Sequence, residues 1–392
     1  MKKKILFFTI SLLIVIIYIF ISILLSKNKK EKQIISLFNW SEYIDPEIID
    51  NYNKQSDKFN VKQSFFSSNE LAINKIKAGN QYDIAILSEY AIEQLKNDYL
   101  LKIKKKDDLK FTPLFETINE INKNKIFKDY SIPYFWGKLG LLYNKNKFSK
   151  EMIKSDWKKF LNNPNYKISL YNNAFEGIFL GLKATDGDIS GINEKDIEKA
   201  KNWLIKLKKQ NNSLSFITDQ LLDNMKVKGR ERYDISLTYS GDARYLIEQN
   251  NNLQFYDFSD DDEFQKGTNV WIDGLVLPKG SKEEAAYDFI NFLLNPENIK
   301  KNTSFIGYDS PYLERQDKII DLKIDKKNDK IYQYNEKTKI QISNSWSEVC
   351  SFPNPEDKYL FFLSFLILLI FIALRFVHSI KLKNKKFITK SE

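Results

Sequence analysis

Two residue types that carry much of protein chemistry are almost missing from this chain: 392 residues hold one cysteine, Cys350, and one histidine, His378. A lone cysteine excludes an internal disulfide and any Cys-based zinc site. His378 lies at the end of an apolar segment near the C-terminus, so residues 33–358 contain no histidine. A Ser–His triad or a histidine metal site is thereby excluded from that region. Arginine is scarce as well, with four in residues 33–358. A site for an anion draws on arginine and helix N-termini, and this region has little of the former. The formal charge of +10 points at first to nucleic acid, but its distribution excludes that. Residues 1–32 carry seven Lys against one Glu, and residues 359–392 carry six basic residues against one acid. The two ends thus hold +11 and residues 33–358 are left at −1, whereas a nucleic-acid binder carries its basic patch on the folded domain.

Each basic end flanks an apolar run. Ile5–Leu25 is 21 residues without a charge, preceded by Lys2, Lys3 and Lys4, and is long enough to cross a bilayer. No small-residue cleavage site or lipoprotein cysteine follows it, so an uncleaved anchor is expected. The second run, Leu360–Leu374, is shorter. Arg375 can snorkel and let Phe376–Ile380 complete the span; a buried core helix is the alternative. Lys381, Lys383, Lys385 and Lys386 follow it, and basic flanks stay cytoplasmic. Two spans with both termini in the cytoplasm place residues 33–358 outside the cell, at the cell membrane. Lys27, Lys29, Lys30 and Lys32 run against that charge bias at the first span.

Between the ends, strand and helix patterns alternate. "IISLFN" is followed by a helix over Pro46–Gln55 with Asp45 as its N-cap and Pro46 at its first position. "NVKQSFF" is followed by a helix over Asn69–Ala78 stopped by Gly79, and the strand Tyr82–Leu87 by a helix over Tyr90–Lys96. The alternation recurs at Lys167–Tyr171 and Ala174–Leu182, at Tyr233–Tyr239 and Asp242–Gln249, and at Val270–Leu277 and Lys282–Leu294. This implies an α/β protein with mainly parallel sheets and ligand sites beyond the carboxyl ends of the strands. About 320 residues is generous for one sheet, which points to two α/β lobes.

What stands at those strand ends is unusual. In "FNWSEYIDP" the first strand runs into Trp40, Ser41, Glu42 and Tyr43. Later strands run into Ser88, Glu89 and Tyr90, into Asn172, Asn173 and Glu176, and into Tyr239, Ser240 and Asp242; Trp271 and Asp273 lie within "NVWIDGLVLP". Singly, each has a plain structural explanation: a surface loop over tucked rings, a helix N-cap for Ser88 or Asp242, a packed ring for Trp271. Together they place aromatic faces and carboxylates at one kind of position. Aromatic faces attract cations, and a carboxylate buried beside them needs an opposite charge. An elongated organic cation satisfies both. Two other classes remain open here: a glycosidase, since paired carboxylates among rings also describe a sugar-cleaving cleft, and a surface adhesion protein with a decayed ligand site.

The segments "LFNWSEYIDP", "YDIAILSEY", "YSIPYFWGKLGLLYN", "TYSGDA", "VWIDGLVLP", "AYDFINFLLNPE" and "FIGYDSP" occur in the order seen in bacterial spermidine/putrescine-binding proteins. These are the substrate-binding components of polyamine ABC importers, and the chain resembles them from Gln33 to Trp346. The resemblance implies a two-lobe periplasmic-binding-protein fold of type II, with a ligand cleft between the lobes and hinge closure on the ligand. On that pattern residues 33–137 and 265–356 form one lobe, 138–264 the other, and 1–32 and 357–392 the membrane ends. The implied ligand is putrescine or spermidine, and the implied partners are a permease and an ATPase; no catalytic residue, metal or cofactor is expected. Carried over by position, Trp40 and Tyr43 match stacking rings, and Ser41 and Glu42 match groups holding one terminal ammonium. Ser88 and Tyr90 match further contacts, Glu176 and Asp273 match carboxylates lining the middle of the cleft, Trp271 a wall, and Tyr308 a ring near the end of the domain. Tyr239 stands where a Trp is usual. Asn173 replaces an Asp and Ser347 a Gln of spermidine-preferring members, while "YSGD" is similar to the "WAGD" of putrescine-preferring members. In those the Asp, here Asp242, reads the second ammonium.

Overall fold

A computed structural model describes residues 12–18, 31–103, 109–110, 129–218, 220–260, 267–315, 319–325, 327–353 and 362–375. The chain forms two compact units: one from the described residues of Met1–Pro113, Ile126–Pro133 and Gly274–Phe305, the other from those of Leu114–Lys125, Tyr134–Asp273 and Ile306–Glu392.

The first unit opens with β1 (Gln33–Trp40), whose apolar residues Ile35 and Leu37 are fully buried. Helix α1 (Pro46–Gln55) starts as the sequence requires: Asp45 is the N-cap, its carboxylate accepts from Glu47 N at 2.9 Å, and Pro46 supplies the fixed φ of the first turn. Strand β2 (Phe59–Phe66) lies parallel to β1, with Trp40 opposite Phe66. Helix α2 (Asn69–Lys77) is capped by Ser68, whose hydroxyl accepts from Leu71 N at 3.2 Å, and stops before Gly79 at φ +85°. Strand β3 (Ile84–Ser88), also parallel to β1, leads into α3 (Glu89–Leu95).

In the second unit the long strand β4 (Ser131–Asn144), whose first residues belong to the first unit, is buried along its whole length. Helix α4 (Lys150–Leu161) follows, then β5 (Ile168–Tyr171), α5 (Ala174–Ala184), α6 (Glu194–Gln210), β6 (Leu214–Ile217), α7 (Gln220–Met225), β7 (Ile235–Tyr239), α8 (Ser240–Gln249), β8 (Leu253–Asp257) and β9 (Val270–Val276). Strand β5 is parallel to β6 and β7, whereas β4 is antiparallel to β7 and β8. The expectation of mainly parallel pairing holds for β1, β2, β3, β5 and β6, and β4 departs from it. Its alternate partners force close approach: a side chain at Gly140 would overlap the Phe255 ring and the Tyr256 carbonyl.

From β9 the chain returns to the first unit as α9 (Glu283–Leu293) and α10 (Pro296–Ile306). There Tyr52 donates to Asp288 at 2.6 Å, and Asn302 binds the loop after β1, accepting from Asp45 N at 2.7 Å and donating to the Tyr43 carbonyl at 3.3 Å. Helix α11 (Glu336–Ser351) closes the second unit against α5 and α6. Wholly buried Arg244 ties α8 to the segment after α10, donating to the Gly307 carbonyl, to Asp309 at 2.9 Å and to the Ile320 carbonyl at 3.1 Å.

Two helix starts differ from expectation. Helix α8 begins at Ser240, with Tyr239 in the cap position, so Asp242 lies in the first turn rather than capping it. Ser88 holds the cap position of α3 without a side-chain cap bond; its hydroxyl instead accepts from Asn69 at 2.9 Å. Among the described residues no helix is long and apolar enough to cross a membrane. Residues 12–18 and 362–375 are helical and exposed. The rest of the expected spans, 5–11, 19–25, 360–361 and 376–380, and the basic tail from Lys381 lie outside the described residues.

Candidate functional site

In the first unit the expected residues collect at the carboxyl ends of β1 and β3. Trp40 ends β1, with its ring 4.5 Å from Phe66 and its backbone N–H donated to Asn39 Oδ1 at 2.8 Å. Its indole Nε1 is buried and has no hydrogen-bond partner among the described residues. Ser41 and Glu42 are exposed, and Glu42 takes φ +55°, a left-handed conformation uncommon for a residue with a side chain. Tyr43 is buried under this turn, whose backbone Asn302 holds. Ser88 ends β3, and Tyr90 donates to Glu70 at 3.3 Å.

The second unit has the denser cluster. Glu176 sits in the first turn of α5, which Asn173 caps by accepting from Phe175 N at 3.2 Å; the replacement for the expected Asp is thus a neutral cap. Glu176 is buried and accepts the Tyr239 hydroxyl. Asp242 accepts two phenols, Tyr171 on Oδ2 at 2.6 Å and Tyr308 on Oδ1 at 2.9 Å. Tyr308 meets Trp271 edge-to-face at 4.9 Å, Trp271 meets Tyr239 at 5.7 Å, and Tyr239 meets Tyr171 at 5.0 Å. Asp273, buried, lies two residues beyond Trp271 on β9 and so shares its face of the strand. Trp271 reaches its place because Gly137 has no side chain: a Cβ there would stand 2.8 Å from the indole. Gly241 similarly leaves room for the Tyr308 ring.

Burial pushes the phenols of Tyr171, Tyr239 and Tyr308 well above the ordinary tyrosine range, and the neighbouring carboxylates push the same way: Asp242 for Tyr171 and Tyr308, Glu176 for Tyr239. At neutral pH these rings are therefore uncharged donors. They orient Glu176 and Asp242 without neutralising them. The cluster can thus offer buried or half-buried carboxylates and aromatic surface to a positive group.

The structure thus brings Glu176, Tyr239, Asp242, Trp271, Asp273 and Tyr308 together within one unit. Trp40, Ser41, Glu42, Tyr43, Ser88 and Tyr90 occupy the other. Sequence reasoning missed Tyr171, the last residue of "KISLY". A hydroxyl-bearing ring at the carboxyl end of an apolar strand is the same signal that marked Tyr239. Trp346 packs over Gly177 and against Phe216 at 4.9 Å, while Ser347 is exposed.

A family model for bacterial extracellular solute-binding proteins matches residues 47–328. The chain belongs to that family, whose members bind solutes rather than transform them. It is 28% identical over 284 residues to the spermidine/putrescine-binding periplasmic protein of Salmonella typhimurium, covering 70% of this chain and 77% of that one. It is 24% identical over 307 residues to a putrescine-binding periplasmic protein of Pseudomonas aeruginosa, covering 71% and 78%. The solved structure of a spermidine/putrescine ABC transporter substrate-binding protein from Streptococcus pneumoniae is similar with a TM-score of 0.66 and 28% identity, over 82% of this chain and 99% of that one. The chain therefore has the two-lobe α/β fold of periplasmic-binding proteins; the described residues of 134–137, 265–273 and 306–356, expected in the first lobe, lie in the second unit.

Proposed function

We propose that this protein is the extracellular substrate-binding component of a polyamine ABC importer, taking up putrescine or spermidine and handing it to a permease driven by an ATPase. The observation that carries the reading is the second-unit cluster: Glu176 and Asp242 hold hydrogen bonds from neutral phenols, beside Trp271 and the buried Asp273. An alkyl diammonium supplies what such a cluster needs, methylenes against rings and N–H⁺ donors on carboxylates. The names of the relatives agree with that chemistry. Trp40, Ser41, Glu42, Tyr43, Ser88 and Tyr90 belong to the proposal as the first unit's ligand contacts.

Neutralising either carboxylate leaves a ligand ammonium poorly paired in a desolvated place. Glu176→Gln and Asp273→Asn are each expected to weaken putrescine or spermidine binding at least tenfold, about 1.4 kcal/mol or more. A loss under about threefold in both variants would sink the assignment of these residues. The proposal also includes retention at the cell membrane through the two apolar ends, with both termini cytoplasmic. Fractionation tests this: the full chain should sediment with membranes and resist high salt, and release by salt would argue against spanning ends.

A further inference from the structure

The turn after β1 is pinned from within the first unit by one side chain. Asn302, wholly buried on α10, accepts the Asp45 backbone N–H on Oδ1 at 2.7 Å and donates from Nδ2 to the Tyr43 carbonyl at 3.3 Å. One amide thus pairs the backbone on both sides of the buried Ile44. Lys301, next to Asn302, adds ion pairs to Asp45 at 3.8 Å and to Glu47. The other end of the turn is fixed as well: β1 is paired with β2 as far as Trp40, whose N–H is donated to the buried Asn39 Oδ1 at 2.8 Å. Between these fixed points stand Ser41 and Glu42, both exposed, with Glu42 at φ +55°.

A left-handed conformation is unfavourable for a residue with a side chain, and it persists where the surrounding structure over-determines it. Glycine or asparagine is the usual occupant, so a glutamate there holds its place against its own preference. Without the Asn302 bonds nothing on the α10 side would hold that φ. Glu42 would relax to the commoner regions of backbone space, and the direction in which its side chain leaves the turn would change. We propose that Asn302 is a positioning residue for ligand binding: sealed from solvent itself, it holds Glu42 in the left-handed turn from which the carboxylate meets a terminal ammonium. This deepens the polyamine reading above and rests on Glu42 being a ligand contact.

The test is a double-mutant cycle, read by isothermal titration of the full-length protein with putrescine and with spermidine. The variants are Asn302→Leu, which fills the space of the amide, the milder Asn302→Ala, which leaves room for water, Glu42→Gln, and each Asn302 change combined with Glu42→Gln. Urea unfolding of the same samples shows which are folded. With whichever polyamine the wild type binds, the Asn302 variants and Glu42→Gln should each lose about tenfold in affinity. The double variants should stay within about threefold of Glu42→Gln alone, because a residue that acts through Glu42 then has nothing left to position. An asparagine that serves stability alone would lower the unfolding midpoint and leave the affinity of the folded protein unchanged. Losses that multiply in the double variants, a loss under about threefold in the Asn302 variants that fold, or a Glu42→Gln that binds like the wild type would each overturn the inference and leave the polyamine reading standing. A folded wild type that binds neither putrescine nor spermidine would overturn both.

Discussion

Lys138 offers the sharpest test of how the second unit is held together. It lies within β4, wholly buried, with Nζ 2.8 Å from Asp257, 2.9 Å from Asp329, 2.7 Å from Ser259 Oγ and 2.7 Å from the Lys323 carbonyl. One amine thus serves two carboxyl groups, Asp329 fully buried and Asp257 mostly so. Burial pushes the Asp257 carboxyl above its ordinary value, Lys138 pulls it back, and Asp329 adds to the rise. Lys138→Met would leave two acids together without their cation. Breaking a buried pair in this way costs about 3–5 kcal/mol, a large part of a typical stability of about 5–15 kcal/mol. The pH dependence has a definite sign. A carboxyl whose folded pKa is raised contributes stability that is present below its unfolded value, near 3.8, and lost as pH rises through the folded value. Removing Lys138 raises the folded value further, so the deficit of the variant should be small near about pH 4 and grow toward neutrality. Urea unfolding of both proteins at about pH 4.5 and about pH 7.5 measures it. A loss under about 1 kcal/mol at neutral pH, or one that does not change with pH, would refute this account of the cluster.

Two further outcomes are expected elsewhere in the second unit. A methyl group at Gly241 would overlap the Tyr308 ring, so Gly241→Ala should cost about 1–3 kcal/mol through overpacking and weaken ligand binding as Tyr308 is displaced; denaturation and titration of the same sample check both, and unchanged affinity would detach Tyr308 from the site. Burial alone would raise Glu231, but donors from Asn250 and Asn252 at 2.9 Å and from Gly229 N at 3.0 Å outweigh it and bring the carboxyl down to about 2. Its contribution is complete above about 4.5 and lost as pH falls toward about 2, so Glu231→Gln should flatten the acid limb of the stability curve, and an identical limb in both proteins would count against that bonding.

The local rules of chain geometry made the first unit readable. Asp45–Pro46, Ser68 and Gly79 punctuate it, and three helices follow three strands as those signals require. Strand β4 was harder to see as a strand, because Pro133, Gly137 and Gly140 interrupt it as breakers would. The two glycines are there for the close approach of Trp271 and of Phe255, which only the folded partners reveal. Helix α6 buries Ile197, Ala200, Leu204 and Leu207 at helical spacing, yet its lysine-rich outer face dilutes that stripe when the sequence is read by composition. The carboxylates and rings of the site were legible as residue types at strand ends. The partnership of Tyr171 with Asp242 was not, since it joins residues 71 apart and depends on β5 lying parallel to β7. The neutral capping role of Asn173 is likewise a product of where α5 begins.

The central claim is that the protein binds a polyamine, and titration calorimetry of the purified full-length chain with putrescine, spermidine and spermine tests it most directly. Saturable one-to-one binding of at least one of them is the predicted result, and their ranking would show whether Asp242 reads the far ammonium. No heat with any of the three, from protein shown to be folded, would contradict it.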